Sequence, residues 1–247
     1  MTIRTGIGGW TFPEWRGVFY PPDLRQKDEL AYAAAHLGAI EVNATFRRLQ
    51  TPATFARWRD AVPEGFRFAL KGSRYVVTRP RLADAGEAVA RFCGQGIAEL
   101  GDRLGPVLWQ LSSHRVFDAV EMAAFFALLP RAIDGLPLQH VIEAGHPSFA
   151  CEDFASLARE AGVAIAVVDA AGSETIDVVT TDFAYARLKN ASERLKRGYP
   201  PAAIEEWARW ALAHEAAGRD AWMFCINGAK VRAPAAAMTL ARKIRAG

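Results

Sequence analysis

The chain has 247 residues, of which 51% are hydrophobic and 23% charged, as in an ordinary soluble globular protein, which excludes a disordered or fibrous chain. A net charge of +3 is too small to indicate a nucleic-acid partner by itself, although it favours an anionic ligand over a cationic one. Apolar runs stay below the roughly 18 residues of a membrane span, and the N-terminus lacks the apolar core of a secretion signal, so we expect a cytoplasmic protein with no membrane partner.

Eight β-rich segments recur along the chain, and they predict strands at 3–9, 39–45, 66–72, 106–112, 139–145, 163–169, 183–189 and 221–227. Helical patterns lie between most of them, and they predict helices within 23–38, 51–62, 84–105, 118–130, 148–162, 200–218 and 233–246. The segment after the sixth strand, 172–182, is too short and too rich in β-branched residues for a full helix.

Strands that alternate with helices are typical of parallel sheets joined by crossover helices. Eight such units in a chain of this length predict an α/β fold, with a single (β/α)8 TIM-like barrel domain over residues 1–247. An open, doubly wound sheet is the alternative, but its nucleotide-binding markers are missing. The stretch "GIGGW" lacks the third glycine of GxGxxG, and no GxxxxGK[ST] occurs.

Polar side chains cluster at the predicted carboxyl ends of nearly every strand. In "AIEVNATFRRL" (39–49), Glu41, Asn43 and Thr45 alternate with apolar residues, so we expect them to face the barrel interior. Other strands end in Lys71, Gln110, Glu143, Asp169, Arg187 with Lys189, and Asn227. Because a buried polar group without a partner costs about 1–3 kcal/mol, such a set needs a hydrogen-bond network, solvent or a ligand. Barrel enzymes hold their active sites at this end, which favours a ligand site.

Several of these motifs also resemble a known family. They are "GIGGWTFPEWRGVFYPPDL" (6–24), "EVNATF" (41–46), "FALKGSR" (68–74), "LWQLSS" (108–113), "EAGHPSF" (143–149) and "INGA" (226–229). In this order they resemble the YecE-like domain-of-unknown-function 72 (DUF72) family over essentially the whole chain. The resemblance implies a TIM-like barrel and no settled activity.

The sequence departs from the family pattern at four places. Arg47 stands where the family commonly has an aromatic residue, and Gly145 stands where an arginine usually precedes the histidine. The seventh strand ends in Lys189 and Asn190 instead of histidine and glycine, and one asparagine, Asn227, replaces a common pair. Roles that the family gives to the missing arginine and histidine cannot be carried over to this chain.

Four residues predict acid–base catalysis. Glu143, His146 and Asp169 follow neighbouring strands, and Lys71 ends the third strand. A carboxylate beside a cation stays ionised, whereas one among apolar walls has a raised pKa, so the mouth can hold one base and one acid, with His146 as proton shuttle. Structural roles stay open: Glu41 paired with Lys71 would close the barrel, and His146 would bond a backbone carbonyl.

Seven residues are predicted to bind the ligand: Trp10, Glu41, Asn43, Gln110, Arg187, Lys189 and Asn227. Trp10 would stack on a sugar or a base. Arg187 and Lys189 open the basic segment 187–200, at a place where barrels often bind phosphate, and an arginine can hold an oxyanion through two hydrogen bonds. A solvated basic loop is the alternative, and the two interpretations differ in whether Arg187 and Lys189 point inward.

The five histidines show no HxH or HExxH spacing, so we predict neither a metal nor another cofactor. One ion held by Glu143, His146, Asp169 and Glu41 is a less favoured alternative.

The predicted function is that of an enzyme, a hydrolase, lyase or isomerase, which uses acid–base chemistry on a small anionic or sugar- or phosphate-containing metabolite. The alternative is a nucleic-acid-binding or phosphodiester-processing protein that uses the segment 187–200. It predicts a basic stripe beyond the pocket and binding that weakens steeply with salt. A catalytically inactive, divergent barrel is the third hypothesis.

Overall fold

The computed structural model describes residues 1–172, 175–226 and 228–247. Across these residues, eight parallel strands close into a barrel in which each strand pairs with its neighbours along the chain. We number them β1–β8, and they are Ile3–Gly8, Ala39–Val42, Arg67–Lys71, Leu104–Gln110, His140–Glu143, Val163–Asp169, Phe183–Leu188 and Asp220–Cys225. The predicted TIM-like barrel is therefore confirmed, and each predicted strand overlaps an observed one.

The helices α1–α9 of the described residues are Glu29–His36, Ala44–Arg47, Pro52–Asp60, Arg74–Val77, Gly86–Cys93, Ala119–Ala127, Glu152–Ala161, Pro201–Ala216 and Ala233–Ala246. Seven of them were predicted. The two short ones, α2 and α4, form directly after β2 and β3, where the sequence predicted none. The described part of the segment after β6, residues 175–182, contains no helix, as predicted. None of the helices in the described ranges is both long and apolar enough to cross a bilayer.

Alternating side chains divide the core into two layers. The barrel interior contains small residues on β2, β3 and β6, such as Ala39, Ala69 and Ala164, together with large rings on β7 and β8, such as Tyr185 and Phe224. The outward faces pack against the helices in a second, larger core. Because successive strand residues point to opposite faces, this register carries the polar residues at the strand ends inward as well.

The end of β2 differs from the prediction. The strand stops at Val42, and the chain turns into α2, so Thr45 does not face the barrel interior. The Thr45 hydroxyl donates hydrogen bonds to the carbonyl of Lys71, at 2.8 Å, and to that of Val42, at 3.1 Å. Thr45 therefore joins the ends of β2 and β3 by satisfying two buried carbonyl groups.

Gly6 permits the close approach of β1 and β2. A Cβ atom at Gly6 would lie 2.2 Å from the carbonyl oxygen of Ala39, its partner in the register between the two strands. A Cβ atom at Gly38, one residue earlier on the other strand, would lie no closer than 3.6 Å to the nearest heavy atom.

We expect Gly6→Ala to lower the free energy of unfolding by at least about 2 kcal/mol, because the barrel wall must separate to admit the methyl group. Urea denaturation measures the loss. Gly38→Ala is the matched control and should change stability by less than about 1 kcal/mol. Equal losses in the two variants would contradict the packing described here.

Candidate functional site

A buried arginine lies at the centre of the barrel mouth. Arg187, on β7, is 3% exposed, and it forms a bidentate ion pair with Glu41 of β2: Nε to Oε2 at 2.9 Å and Nη2 to Oε1 at 2.7 Å. Tyr185 lies two residues before Arg187 on the same face of β7, and its hydroxyl donates to Glu41 Oε2 at 2.9 Å. Both oxygens of the Glu41 carboxylate are thus satisfied across the barrel.

The second carboxylate, Glu143 of β5, completes the network. It accepts a hydrogen bond from Nη1 of Arg187, and its Oε1 accepts from Lys189 Nζ and from Gln110 Nε2, each at 2.7 Å. Burial by itself raises the pKa of Glu143, but Arg187 and Lys189 outweigh it and hold the pKa at about 2. Glu143 is therefore an anion at neutral pH, which suits it to holding cations rather than to exchanging protons.

Above this network lies a cavity of about 670 Å³. Its floor contains Glu41, Gln110 and Arg187, and its walls come from the segments that follow β1, β2 and β8. Of the predicted ligand-binding residues, the cavity is lined by Trp10, Glu41, Asn43, Gln110 and Arg187. A cavity of this size at the carboxyl ends of barrel strands is typical of small-molecule sites.

Two lysines on the cavity walls lie over phenyl rings. Lys71 Nζ is 4.5 Å from the ring centroid of Phe46, and Lys230 Nζ is 4.4 Å from that of Phe12. Among the residues that the structure describes, neither ammonium group has a carboxylate within ion-pair distance. Burial, with Arg187 as the next contributor, lowers the pKa of Lys71 despite the nearby Glu41 and Glu143. The Glu41–Lys71 pair, which the sequence left open as a structural alternative, does not form, because Arg187 occupies both oxygens of Glu41.

Asp169 does not join Glu143 at the mouth. On β6, Ala164 and Ala166 face the barrel interior, so Asp169 has the opposite parity and points away from it. The Asp169 carboxylate accepts a hydrogen bond from Nδ2 of Asn190 instead. The prediction that Glu143 and Asp169 lie in one pocket is therefore wrong, because the register of β6 turns Asp169 away from the mouth.

His146 is also absent from the cavity lining in the described ranges. Its Nδ1 accepts a hydrogen bond from the backbone N–H of Ser148, at 3.2 Å, and lies 2.8 Å from the Ser148 hydroxyl. This local contact begins the short 3-10 helix Pro147–Phe149. Lys71 is thus the one predicted catalytic residue on the cavity wall, with Glu143 beneath the floor.

The remaining predicted residues have distinct placements. Lys189 points inward to Glu143, as the ligand-site interpretation required, and so does Arg187. Asn227 lies outside the described residues. Trp10 lines the cavity but packs edge-on against Trp58, with ring centroids 5.3 Å apart.

No group of three or more His, Cys, Asp or Glu side chains in the described part of the chain is arranged to hold a metal.

The cavity lining also includes aromatic and basic residues that were not predicted to bind the ligand, among them Phe12, Phe46, Arg48 and Lys230. These four follow the ends of β1, β2 and β8 by a few residues. The sequence carried a signal for them, because the segments after barrel strands form the mouth, but most of the predicted site residues were taken from the strands themselves.

The sequence model of the family described as "Protein of unknown function DUF72" matches residues 4–247. The chain belongs to the DUF72 family. The "UPF0759 protein YecE" of Escherichia coli K12 is 26% identical over 149 residues, which are 60% of this chain and 50% of YecE. The match thus spans about half the length of this curated relative. The predicted family resemblance is confirmed.

Two solved DUF72 structures have the same fold. The protein TM1631 of Thermotoga maritima has a TM-score of 0.81 and 20% identity, with 99% of this chain and 100% of that chain covered. The protein EF0366 of Enterococcus faecalis has a TM-score of 0.76 and 17% identity, with 98% and 95% covered. At these identities the likeness shows the barrel and no shared activity.

In this DUF72 chain we expect Arg187→Met to lower the free energy of unfolding by about 3–5 kcal/mol, because Glu41 loses its cation while it stays buried. Chemical denaturation at neutral pH measures the loss. Arg159→Met removes an exposed arginine 3.4 Å from Glu152 and should cost less than about 1 kcal/mol. A loss for Arg187→Met no larger than this control would show that the buried network contributes nothing to stability.

The low pKa of Glu143 predicts a specific loss of stability in acid. The folded state has a pKa of about 2 in place of 4.5, so the stabilisation is complete above 4.5 and is lost as pH falls toward 2. This contribution is about 3 kcal/mol. In Glu143→Gln the unfolding free energy should fall less steeply over this interval than in the native chain, whereas Glu152→Gln should match the native slope. Parallel pH profiles for all three proteins would contradict it.

Proposed function

We propose that this DUF72 chain is an enzyme that binds a small anionic metabolite in the barrel mouth and that Lys71 transfers the proton in the reaction. The observation that carries the proposal is the position of Lys71. Its ammonium group borders the cavity and rests on the Phe46 ring, with no carboxylate partner among the residues described.

The charges of the site favour an anionic ligand. Beneath the cavity, Glu41 and Glu143 are balanced by Arg187 and Lys189. Lys71 is then an additional positive charge on the cavity wall. Because a partly buried cation without a counterion is unfavourable, an anionic ligand would stabilise the site by supplying the missing charge.

The cavity wall adds three more cations. Arg47 and Arg48 follow β2, Lys230 follows β8, and Glu41 is the acidic residue among the described lining. Phosphate and carboxylate groups are the anions that arginine and lysine commonly bind in proteins. The aromatic residues Trp10 and Phe12 supply apolar surface for the remainder of such a metabolite.

Lys71 has the environment of a proton-transfer residue. Burial lowers the pKa of Lys71, so its ammonium group releases a proton more readily than that of an exposed lysine, and the neutral amine accepts a proton from a substrate carbon or from water. After accepting that proton, Lys71 acts as the general acid and donates the proton back to the substrate. Proton transfer of this type fits an isomerase or lyase, and with water as the nucleophile it fits a hydrolase.

Sulfate tests the anion site, because its charge does not change between neutral and alkaline pH. We expect Lys71→Met to weaken sulfate binding by about tenfold, because the removed charge is worth roughly 1.4 kcal/mol to a bound anion. Isothermal titration calorimetry measures the affinity. Native affinity should fall as pH rises through the lowered pKa of Lys71, and Lys71→Met should lack this change.

Lys27→Met is the control, because Lys27 is exposed and lies outside the cavity lining. It should bind sulfate like the native chain. Turnover is tested with a panel of sugar phosphates and carboxylates followed by proton NMR, where Lys71→Met should abolish any conversion. Sulfate binding that is the same in Lys71→Met and Lys27→Met would refute the proposed site.

A further inference from the structure

The face around the cavity is more basic than the opposite face. The segments that follow β2, β3, β7 and β8 (43–51, 72–85, 189–200 and 226–232) contain eleven Arg and Lys residues and two acidic residues. The segments that enter strands at the other end (61–66, 94–103, 128–139 and 217–219) contain three Arg and four acidic residues. The mouth segments after β2, β3, β7 and β8 therefore carry an excess of positive charge that these segments of the opposite end lack.

One group of exposed cations lies beside β2 and β3, which are neighbours in the barrel. It contains Arg47, Arg48, Arg74 and Arg81. The Arg74 guanidinium lies 5.0 Å from the ring centroid of Tyr75, whose side chain is 58% exposed. An exposed aromatic ring beside arginines is the combination on which unpaired bases stack while their phosphates are bound.

A second group lies after β7 and contains Arg194, Lys196 and Arg197, all exposed. In the barrel order, β8 and β1 separate this group from the first one. The cavity is lined by residues after β8, β1 and β2, so it lies between the two groups. The basic surface thus extends beyond the cavity on both sides, further than a small metabolite needs. We call these two groups the basic rim.

We propose that the basic rim binds the backbone of a single-stranded nucleic acid, one nucleotide of which enters the cavity. The proposal rests on the proposed function, because the phosphate of that nucleotide is the anion that the cavity takes. Arginine binds phosphate through a planar pair of donors, and the first group consists of arginines alone. A concave site accepts a nucleotide only when it is not paired in a duplex, which favours a single strand.

The test uses a fluorescein-labelled oligothymidylate of about 12 nucleotides, within the usual site size of single-strand binding proteins. Fluorescence anisotropy gives its affinity between about 50 and about 200 mM KCl. Arg74→Gln with Arg81→Gln and Arg194→Gln with Arg197→Gln are the two rim variants, and none of these four residues lines the cavity. Each pair should weaken binding by about tenfold and reduce the slope of log affinity against log salt by about 1.4.

Arg242→Gln with Arg245→Gln is the control, since it removes the same charge from two exposed residues near the end of α9. It should change the affinity less than twofold. The rim variants should bind sulfate normally, which separates this proposal from the cavity site tested with Lys71→Met. Equal weakening in the control and the rim variants, or a duplex of the same sequence that binds as tightly as the single strand, would overturn the proposal.

Discussion

The organisation of the mouth depends on one buried interaction, the guanidinium of Arg187 between the carboxylates of Glu41 and Glu143. These residues lie on β7, β2 and β5, so the ion pairs cross the barrel interior and join strands that are not neighbours. None of the three charges would be stable there alone, because desolvation of an isolated ion costs several kcal/mol. With Lys189, which pairs with Glu143, they form a floor of two cations and two anions beneath the cavity.

This floor changes the role that the sequence suggested for Arg187. An arginine whose Nε, Nη1 and Nη2 atoms all donate to carboxylates is already occupied, so its main effect on a ligand is indirect. It contributes to the lowered pKa of Lys71, and because it occupies Glu41, Lys71 lies over the ring of Phe46 with no carboxylate at ion-pair distance among the described residues. Interactions within the protein thus satisfy Arg187 and Lys189 and leave Lys71 without such a partner in the described part of the chain.

The sequence predicted the barrel and its polar mouth because strand alternation and helix signals are local properties. It could not predict which charges pair. Lys71 of the adjacent strand was considered as a partner for Glu41, whereas the observed partner is 146 residues away on β7, and the closed barrel brings the two together. Asp169 was misplaced for a different reason: β6 is apolar on both faces, so its hydrophobic pattern does not reveal which residues point inward.

The departures from the family pattern change which side chains carry charge at the barrel mouth. Lys189, where the family usually has histidine, binds Glu143 at 2.7 Å and gives the floor a cation that histidine would supply only at low pH. A side chain at Gly145 would bring its Cβ atom to 3.3 Å from Ser113, so the missing arginine leaves room for a close loop contact. Arg47 replaces an aromatic residue and adds positive charge to the cavity. The family's arginine before His146 is absent, whereas Lys189 and Arg47 supply cations on β7 and after β2, so the departures exchange one positive charge for others elsewhere in the barrel mouth.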